Sequence, residues 1–262
     1  MSQPAPLTTL EAALRRDRWL VMLGLASAIA LAWAWLAPMA GDMYGRMDGP
    51  AAWMMTARWD LPYAALMFGM WAAMMLGMML PSAAPTVLLY GTVARNSVQS
   101  EAPVTRTYLF ALGYLLAWTG FSFLATLLQW ALAQTALLSP MMESSSPVFS
   151  AAVLLAAGIY QWTPLKDVCL RQCRGPVDFL TQHWRAGRIG ALSMGLRHGL
   201  YCVGCCWVLM TLLLVGGVMN LLWIAAITIF VLLEKVTSFG RTGGRLSGLG
   251  LIVAGVIVLL RI

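Results

Sequence analysis

The chain has 262 residues, 60% of them hydrophobic and 10% charged, with a mean hydropathy of +0.77. So apolar a sequence excludes a solvated globule and predicts an all-α, polytopic transmembrane helix bundle. Apolar runs of about 17 to 25 residues recur without strand-like alternation, which excludes a β-barrel and leaves helices to satisfy the backbone in lipid. The net charge of +7 comes from Lys and Arg scattered between these runs; with no long basic run it reads as membrane topology rather than nucleic-acid binding.

About seven spans are predicted, near 19–37, 62–94, 106–134, 147–163, 196–217, 219–236 and 246–261. With the N-terminus inside, thirteen Lys and Arg fall on the inner side: Arg15, Arg16, Arg18, Arg95, Arg106, Lys166, Arg171, Arg174, Arg185, Arg188, Lys235, Arg241 and Arg245. Three fall outside (Arg46, Arg58 and Arg261) and Arg197 lies at the membrane edge. The bias selects an N-in, C-out orientation. Residues 1–18 form a cytoplasmic N-terminal segment, in which Thr8-x-x-Glu11 is a capping box opening a short helix. Residues 19–262 form a single integral membrane domain with an inner-surface helical segment at 164–188. The first apolar stretch is long for a cleavable signal.

The first outer loop carries Met39, Met43 and Met47, spaced four apart, then Trp53, Met54 and Met55. They can line one side of a helical turn or simply rest on the membrane surface. The second span holds Met67, Met70, Met74, Met75, Met78 and Met79, six thioethers in thirteen residues, and ends at Pro81-Ser82-Ala83-Ala84-Pro85. Methionine fills core gaps, but leucine would pack a lipid-bathed helix equally well, so the choice is lopsided. The two prolines are expected to kink this helix and free a backbone carbonyl.

The third span, with Gln129 and Gln134 near its outer end, shows no distinctive chemistry and reads as scaffold. A polar, turn-like outer loop with Met141, Met142, Glu143 and three serines follows it. After the fourth span, Thr163 as N-cap, Pro164 at the first helical position and the Gly175-Pro176 stop bracket an eleven-residue helix. Alternatively, Pro164 kinks a continuing span. Either way Cys169 and Cys173 share a face, with Lys166, Arg171 and Arg174 displaced toward water. Buried cysteines are often only small hydrophobes, yet two thiols four apart can chelate one ion.

A second inner-surface segment, 177–188, leads to the fifth span. There Met194, His198, Cys202 and Cys205 or Cys206 descend one face, and Gly195-x-x-x-Gly199 admits a closely packed helix. Gly216-Gly217 gives a short outer turn, so spans five and six are expected to form an antiparallel hairpin. Pivoting near Val218, Cys202 lies sixteen residues before the turn and Glu234 sixteen after, which places Glu234 and Lys235 in or just beneath the thiol layer. Counting inward at about 1.5 Å per residue brings Met74, Met75, Met78 and Met79 to a similar depth.

Thiols and thioethers are soft donors suited to Cu(I) rather than to hard cations. The candidate ligands are Cys202, Cys205, Cys206, Cys169, Cys173, Met74, Met75, Met78 and Met79, with His198 as a possible further donor. Arg197 would favour thiolates nearby, and Glu234 would neutralise Arg197 or Lys235 rather than bind metal. Five cysteines cannot all pair, and Cys169 and Cys173 would face a reducing cytosol, so structural disulfides are not expected.

Several motifs together resemble the uncharacterised bacterial family described as predicted metal-binding integral membrane proteins. They are Gly158-x-Tyr160-Gln161-x-Thr163-Pro164-Leu165-Lys166-x-x-Cys169-x-x-x-Cys173-Arg174, Gly195-x-x-His198-Gly199-x-Tyr201-Cys202-x-Gly204-Cys205-Cys206-Trp207, Gly217-x-Met219-Asn220 and Glu234-Lys235. The methionine run through Pro81-Ser82-Ala83-Ala84-Pro85 joins them, and the likeness extends from about Leu61 to the C-terminus. It implies a metal-related membrane protein and assigns no activity, metal or residue role.

The expected function is soft-metal, Cu(I) binding in the bacterial cytoplasmic (inner) membrane, serving metal handling, delivery or transport. Zinc or another soft metal is the alternative ion. Methionines would pass the ion to Cys202, Cys205 and Cys206, and Cys169 and Cys173 would accept it at the inner surface. Expected partners are membrane lipid and a metallochaperone or membrane-complex protein, not nucleic acid. A membrane thiol–disulfide oxidoreductase cycling Cys202 and Cys205 remains open, as does a structural or accessory subunit. There is no phosphate-binding Gly-rich loop, nucleophile elbow or haem-attachment motif, so enzyme chemistry is the less expected class.

Overall fold

The computed structural model describes residues 9–44, 59–96, 102–139, 142–237 and 240–262, and among these the regular structure is helical. Helix α1 covers Thr9–Tyr44, α2 Leu61–Asn96, α3 Pro103–Gln134, α4 Pro147–Tyr160 and α5 Pro164–Arg174. Then come α6 Pro176–His183, α7 Gly187–Thr211, the short α8 Leu213–Gly216, α9 Leu221–Val236 and α10 Gly240–Leu260. Local chemistry sets several ends. Ser146 caps α4 by accepting from the Phe149 amide at 3.3 Å, and Thr163 caps α5 by accepting from Lys166 N at 3.3 Å. Asn220 caps α9 by accepting from Trp223 N at 3.2 Å. Proline stands at the first turn of α3, α4, α5 and α6, where its missing N–H has no intrahelical partner to lose.

Five helices are long and apolar enough to cross a membrane: α1, α2, α3, α7 with α8, and α10. The pair α4 and α5 passes the same test together but is bent by 65°: the expected capped helix begins at Pro164, and the bend is that of a broken span or a re-entrant loop. Helix α9 has 16 residues, about 24 Å of helix against a hydrocarbon core of about 30 Å. That shortness is why length and composition support five or six spans rather than seven. Helix α1 runs through Pro38 to Tyr44, so Met39 and Met43, expected in a loop, are helical and buried. Thr8, Met47, Trp53, Met54, Met55 and Met141 lie outside the described residues.

The most extensive packing joins α3 to α7, and glycine makes it possible. A methyl group on Gly195 would run into the Phe110 carbonyl, while one on Gly199 would lie 2.7 Å from the Ala117 methyl and 2.8 Å from the Tyr114 carbonyl oxygen. The Gly195-x-x-x-Gly199 expectation is met, with α3 as the partner. Likewise α4 crosses α10 where a Cβ on Gly158 would sit 2.7 Å from the Gly248 carbonyl oxygen. Helix α2 packs between α1 and α3, and α5 lies against α7.

The expected hairpin after the fifth span is only partly realised. Gly217 takes φ +91° at the turn, yet α9 packs more extensively on α2 and α10 than on α7. The loop after α3 is a turn, with Met142 N donating to Ser139 O at 2.9 Å, and it is tied to the α8–α9 connection by Val218 N donating to Met142 O at 3.3 Å. Helix α2 passes through Pro81 and Pro85 unbroken. The proline rings deprive the carbonyls of Gly77 and Pro81 of their i+4 donors.

Replacing Gly195 by Val would force α3 away from α7, and overpacking of this kind costs roughly 1–3 kcal/mol. A clear fall in the Tm of the detergent-solubilised protein is the expected result. Gly69→Ala on α2, where nothing lies within 4 Å of the added methyl, should hold or raise Tm. Equal Tm values for the two variants would show that the α3–α7 contact is not limiting.

Candidate metal centre

Four helices meet around Cys202. Its Sγ lies 2.8 Å from Lys235 Nζ on α9 and 3.0 Å from the Tyr114 hydroxyl on α3. Tyr114 also reaches the Met79 carbonyl oxygen at 3.0 Å, linking α2 to the same point. Cys206 Sγ is 4.0 Å from Met79 Sδ, and Cys205 Sγ is 3.9 Å from Cys173 Sγ on α5. Cys169, one turn earlier on α5, rests on the bare backbone of α7: a Cβ on Gly204 would lie 2.7 Å from its Sγ. The Tyr160 hydroxyl donates to the Gly204 carbonyl and pins the end of α4 to the same turn. All five thiols are free and buried.

Among the described residues no group of three or more His, Cys, Asp and Glu side chains is disposed to hold a metal ion. The thiols face inward on their own helix instead. Both Cys205 and Cys206 donate to the Cys202 carbonyl, at 3.1 and 3.0 Å. Nevertheless the spacings are close to those a soft ion imposes. Two sulfur ligands each about 2.3 Å from one ion stand about 3.8 Å apart at a tetrahedral angle and about 4.0 Å at a trigonal one, against 3.9 Å for Cys205 and Cys173 and 4.0 Å for Cys206 and Met79. Rotation about χ1 of Cys205 or Cys206 trades a weak thiol–carbonyl bond for a ligand position.

Several expectations are corrected here. Cys169 and Cys173 are buried rather than turned to solvent: α5, bent by 65° from α4, lies against α7, which brings Cys173 to Cys205 and Cys169 to the backbone at Gly204. Lys166, expected toward water, is 2% exposed and pairs with Glu234 at 2.6 Å. Its ammonium also donates to Gln161 Oε1, and Glu234 Oε2 has no hydrogen-bond partner. The ion-pair partner of Glu234 is therefore Lys166, not Arg197 or Lys235. Arg197 is exposed and lies 6.0 Å over the Tyr201 ring, leaving Lys235 as the cation beside the thiols. Ser82 shares that ammonium, accepting at 3.0 Å.

Lys235, one residue beyond the position paired with Cys202 by counting from the turn, meets its thiol. Within the methionine run Met79 reaches the thiol layer, and Met74, Met75 and Met78 are buried in the preceding turns of α2. Met67 Sδ accepts from Gln129 Nε2 at 3.7 Å, while Gln129 Oε1 accepts from the Trp71 indole at 2.6 Å, a buried polar link inside the supposed scaffold. His198 is buried among the rings of Phe110, Tyr114 and Phe179, with centroids 6.0, 5.8 and 4.9 Å away. Tyr114 carries no flag in the sequence beyond a polar hydroxyl in apolar surroundings, which is itself the signal that could have found it.

Against known families, the model of the PpoB2 family, described as copper chaperone, matches residues 68–258. That stretch contains α3 to α9, nearly all of α2 and α10, and every thiol described above. No curated protein and no solved structure shows a significant match.

The buried Lys166–Glu234 pair gives a stability test. Lys166→Met leaves a carboxylate without its cation and is expected to lower unfolding free energy by about 3–5 kcal/mol. Adding Glu234→Leu removes the orphan charge and should recover most of the loss. Denaturation of the two variants in the same detergent checks this; additive losses would mean that the pair does not act as a unit.

Proposed function

Because the chain belongs to the copper chaperone family, we propose that its buried sulfur layer holds copper as Cu(I) and passes it on within the membrane. The observation that carries this reading is the convergence of Cys202, Cys205 and Cys206 with Cys173 and Met79, from three separate helices. Thiolate and thioether together are the donor set that a soft monovalent ion prefers and that hard cations avoid. Zinc would draw on the thiols but gain little from the buried methionines around them.

In this reading copper is cargo, and the chain's residues have distinct tasks. Met39, Met43, Met67 and Met219 are buried at the end of the bundle where α1 finishes, α2 begins and α9 starts; they offer weak thioether contacts on the way in. Met74, Met75, Met78 and Met79 continue along α2 to the thiols. Cys202, Cys205, Cys206 and Cys173 bind most strongly, with Cys169 beside them as a further donor. Lys235 offsets the negative charge of the thiolates, and Tyr114 holds Cys202 in place by a hydroxyl contact. The reading puts the protein in a bacterial cytoplasmic membrane with its N-terminus inside, supported by the excess of basic residues expected on that side even with the buried Lys166 and Lys235 set aside. Residues 19–262 act as one integral domain, with α9 completing a seventh, short span. A metallochaperone or membrane-complex protein would take or deliver the ion.

Purified protein reduced and exposed to Cu(I) should retain copper, and replacing Cys202, Cys205 and Cys206 with Ser should abolish retention. Met79→Leu should lower the affinity by about tenfold, read by competition with a Cu(I) chelator. Copper at background in the wild type, or retention unchanged in the triple variant, would sink the reading. Trapping a mixed disulfide with a partner through Cys202 or Cys205 would favour the thiol oxidoreductase instead.

A further inference from the structure

The chain has two histidines, and both lie against one phenyl ring. Phe179, fully buried on α6, has its centroid 4.9 Å from that of His198 and 5.0 Å from that of His183. His198 is 2% exposed and its Nδ1 has no hydrogen-bond partner. A polar nitrogen buried in this state costs about 1–3 kcal/mol, which phenylalanine at the same position would not incur. His183 is half-buried, with Nδ1 3.0 Å from the Phe179 carbonyl oxygen. Donating there leaves the Nε2 lone pair free, the arrangement that metal-ligating histidines use.

Position along α7 connects this group to the thiols. His198 lies four residues, about one turn, before Cys202 on the same helix face, and both touch Tyr114. Thiol, buried imidazole, phenyl ring and half-exposed imidazole thus follow one another from the sulfur layer to the surface. Helix α6 has eight residues and packs less extensively on its neighbours than α5 does on α7, so Phe179 sits on the lightly held side of this line.

We propose that His198 and His183 form the copper exit, with the Phe179 ring as the gate between them. The proposal rests on the copper reading of the thiol layer. Transfer is ligand exchange without change of oxidation state: a Cu(I)–sulfur bond to Cys202 breaks as a Cu(I)–nitrogen bond to His198 forms. The thiolate left behind keeps Lys235 as its counter-ion. Displacement of the Phe179 ring then lets His183 take the ion to the surface.

Histidine-labelled full-length protein in detergent gives two imidazole signals, one per residue, and Cu(I) added beyond thiol saturation should shift both. In transfer from loaded protein to a Cu(I) chelator, His183→Gln should slow release by about tenfold or more, and Phe179→Leu should speed it. Imidazole signals that stay unmoved overturn the proposal, as do release rates equal to wild type in both variants. Loss of loaded copper in His198→Gln also overturns it, because that residue would then belong to the thiol layer. If the wild-type thiols take up no copper, their reading fails alone, and the imidazole signals still decide the histidine site.

Discussion

Two lysines and one carboxylate are buried where α5, α7 and α9 meet, and their compensation dictates how those helices sit. An uncompensated buried charge costs several kcal/mol, more than most packing choices could offset. Glu234 and Lys235 are neighbours on α9, so their side chains leave the helix about 100° apart. One meets Lys166 at 2.6 Å, the other Cys202 at 2.8 Å. Helix α9 is thereby wedged between the bent arm α5 and the sulfur layer, although its packing against α7 is slight.

Glycine and proline complete the placement. Gly195 and Gly199 bring α7 onto α3 closely enough for Tyr114 to touch both Cys202 and the Met79 carbonyl. Pro164 and the Thr163 cap start α5 on a new axis, and Gly204 leaves room on α7 for the Cys169 thiol. Arg241 and Asp167, 2.7 Å apart, and Arg174 donating to the Thr237 carbonyl at 2.6 Å hold α5 against α10 and the end of α9. Exposed pairs of this kind contribute little individually, but they act on an element already fixed by a buried one.

How far the site could be read in advance follows from the range of the forces involved. Apolar run lengths without alternation are enough to point to a helical chain, and Thr163 marks the start of α5 because a cap is a local hydrogen bond. Counting residues from the turn at Val218 predicted the depth of Lys235 to within one residue, since helical rise is constant. What escaped was direction. The side to which Pro164 turns α5 depends on what α5 packs against, so Cys169 and Cys173 were expected on the surface and Lys166 in water. Arg197 was chosen as the thiols' cation because it is close in sequence, whereas the ammonium present comes from thirty-three residues away. His183 and Phe179 carry no signal in the sequence, because their relation to His198 exists only once α6 has folded against α7.

The charge at the sulfur layer also bears on which ion the proposed site would take. With two of the four proposed thiol ligands ionised and the others kept as neutral thiols, the site around one cuprous ion carries a net charge of −1, and the single ammonium of Lys235 brings the assembly to neutrality. A divalent ion between the same two thiolates is already neutral and would leave Lys235 without a counter-charge in a low-dielectric setting. Adding Met79 as a third, neutral donor satisfies a three-coordinate soft ion without changing this balance. Buried lysine and buried methionine, each unfavourable or unneeded by itself, thus favour the same ion for independent reasons, one through charge and the other through donor softness.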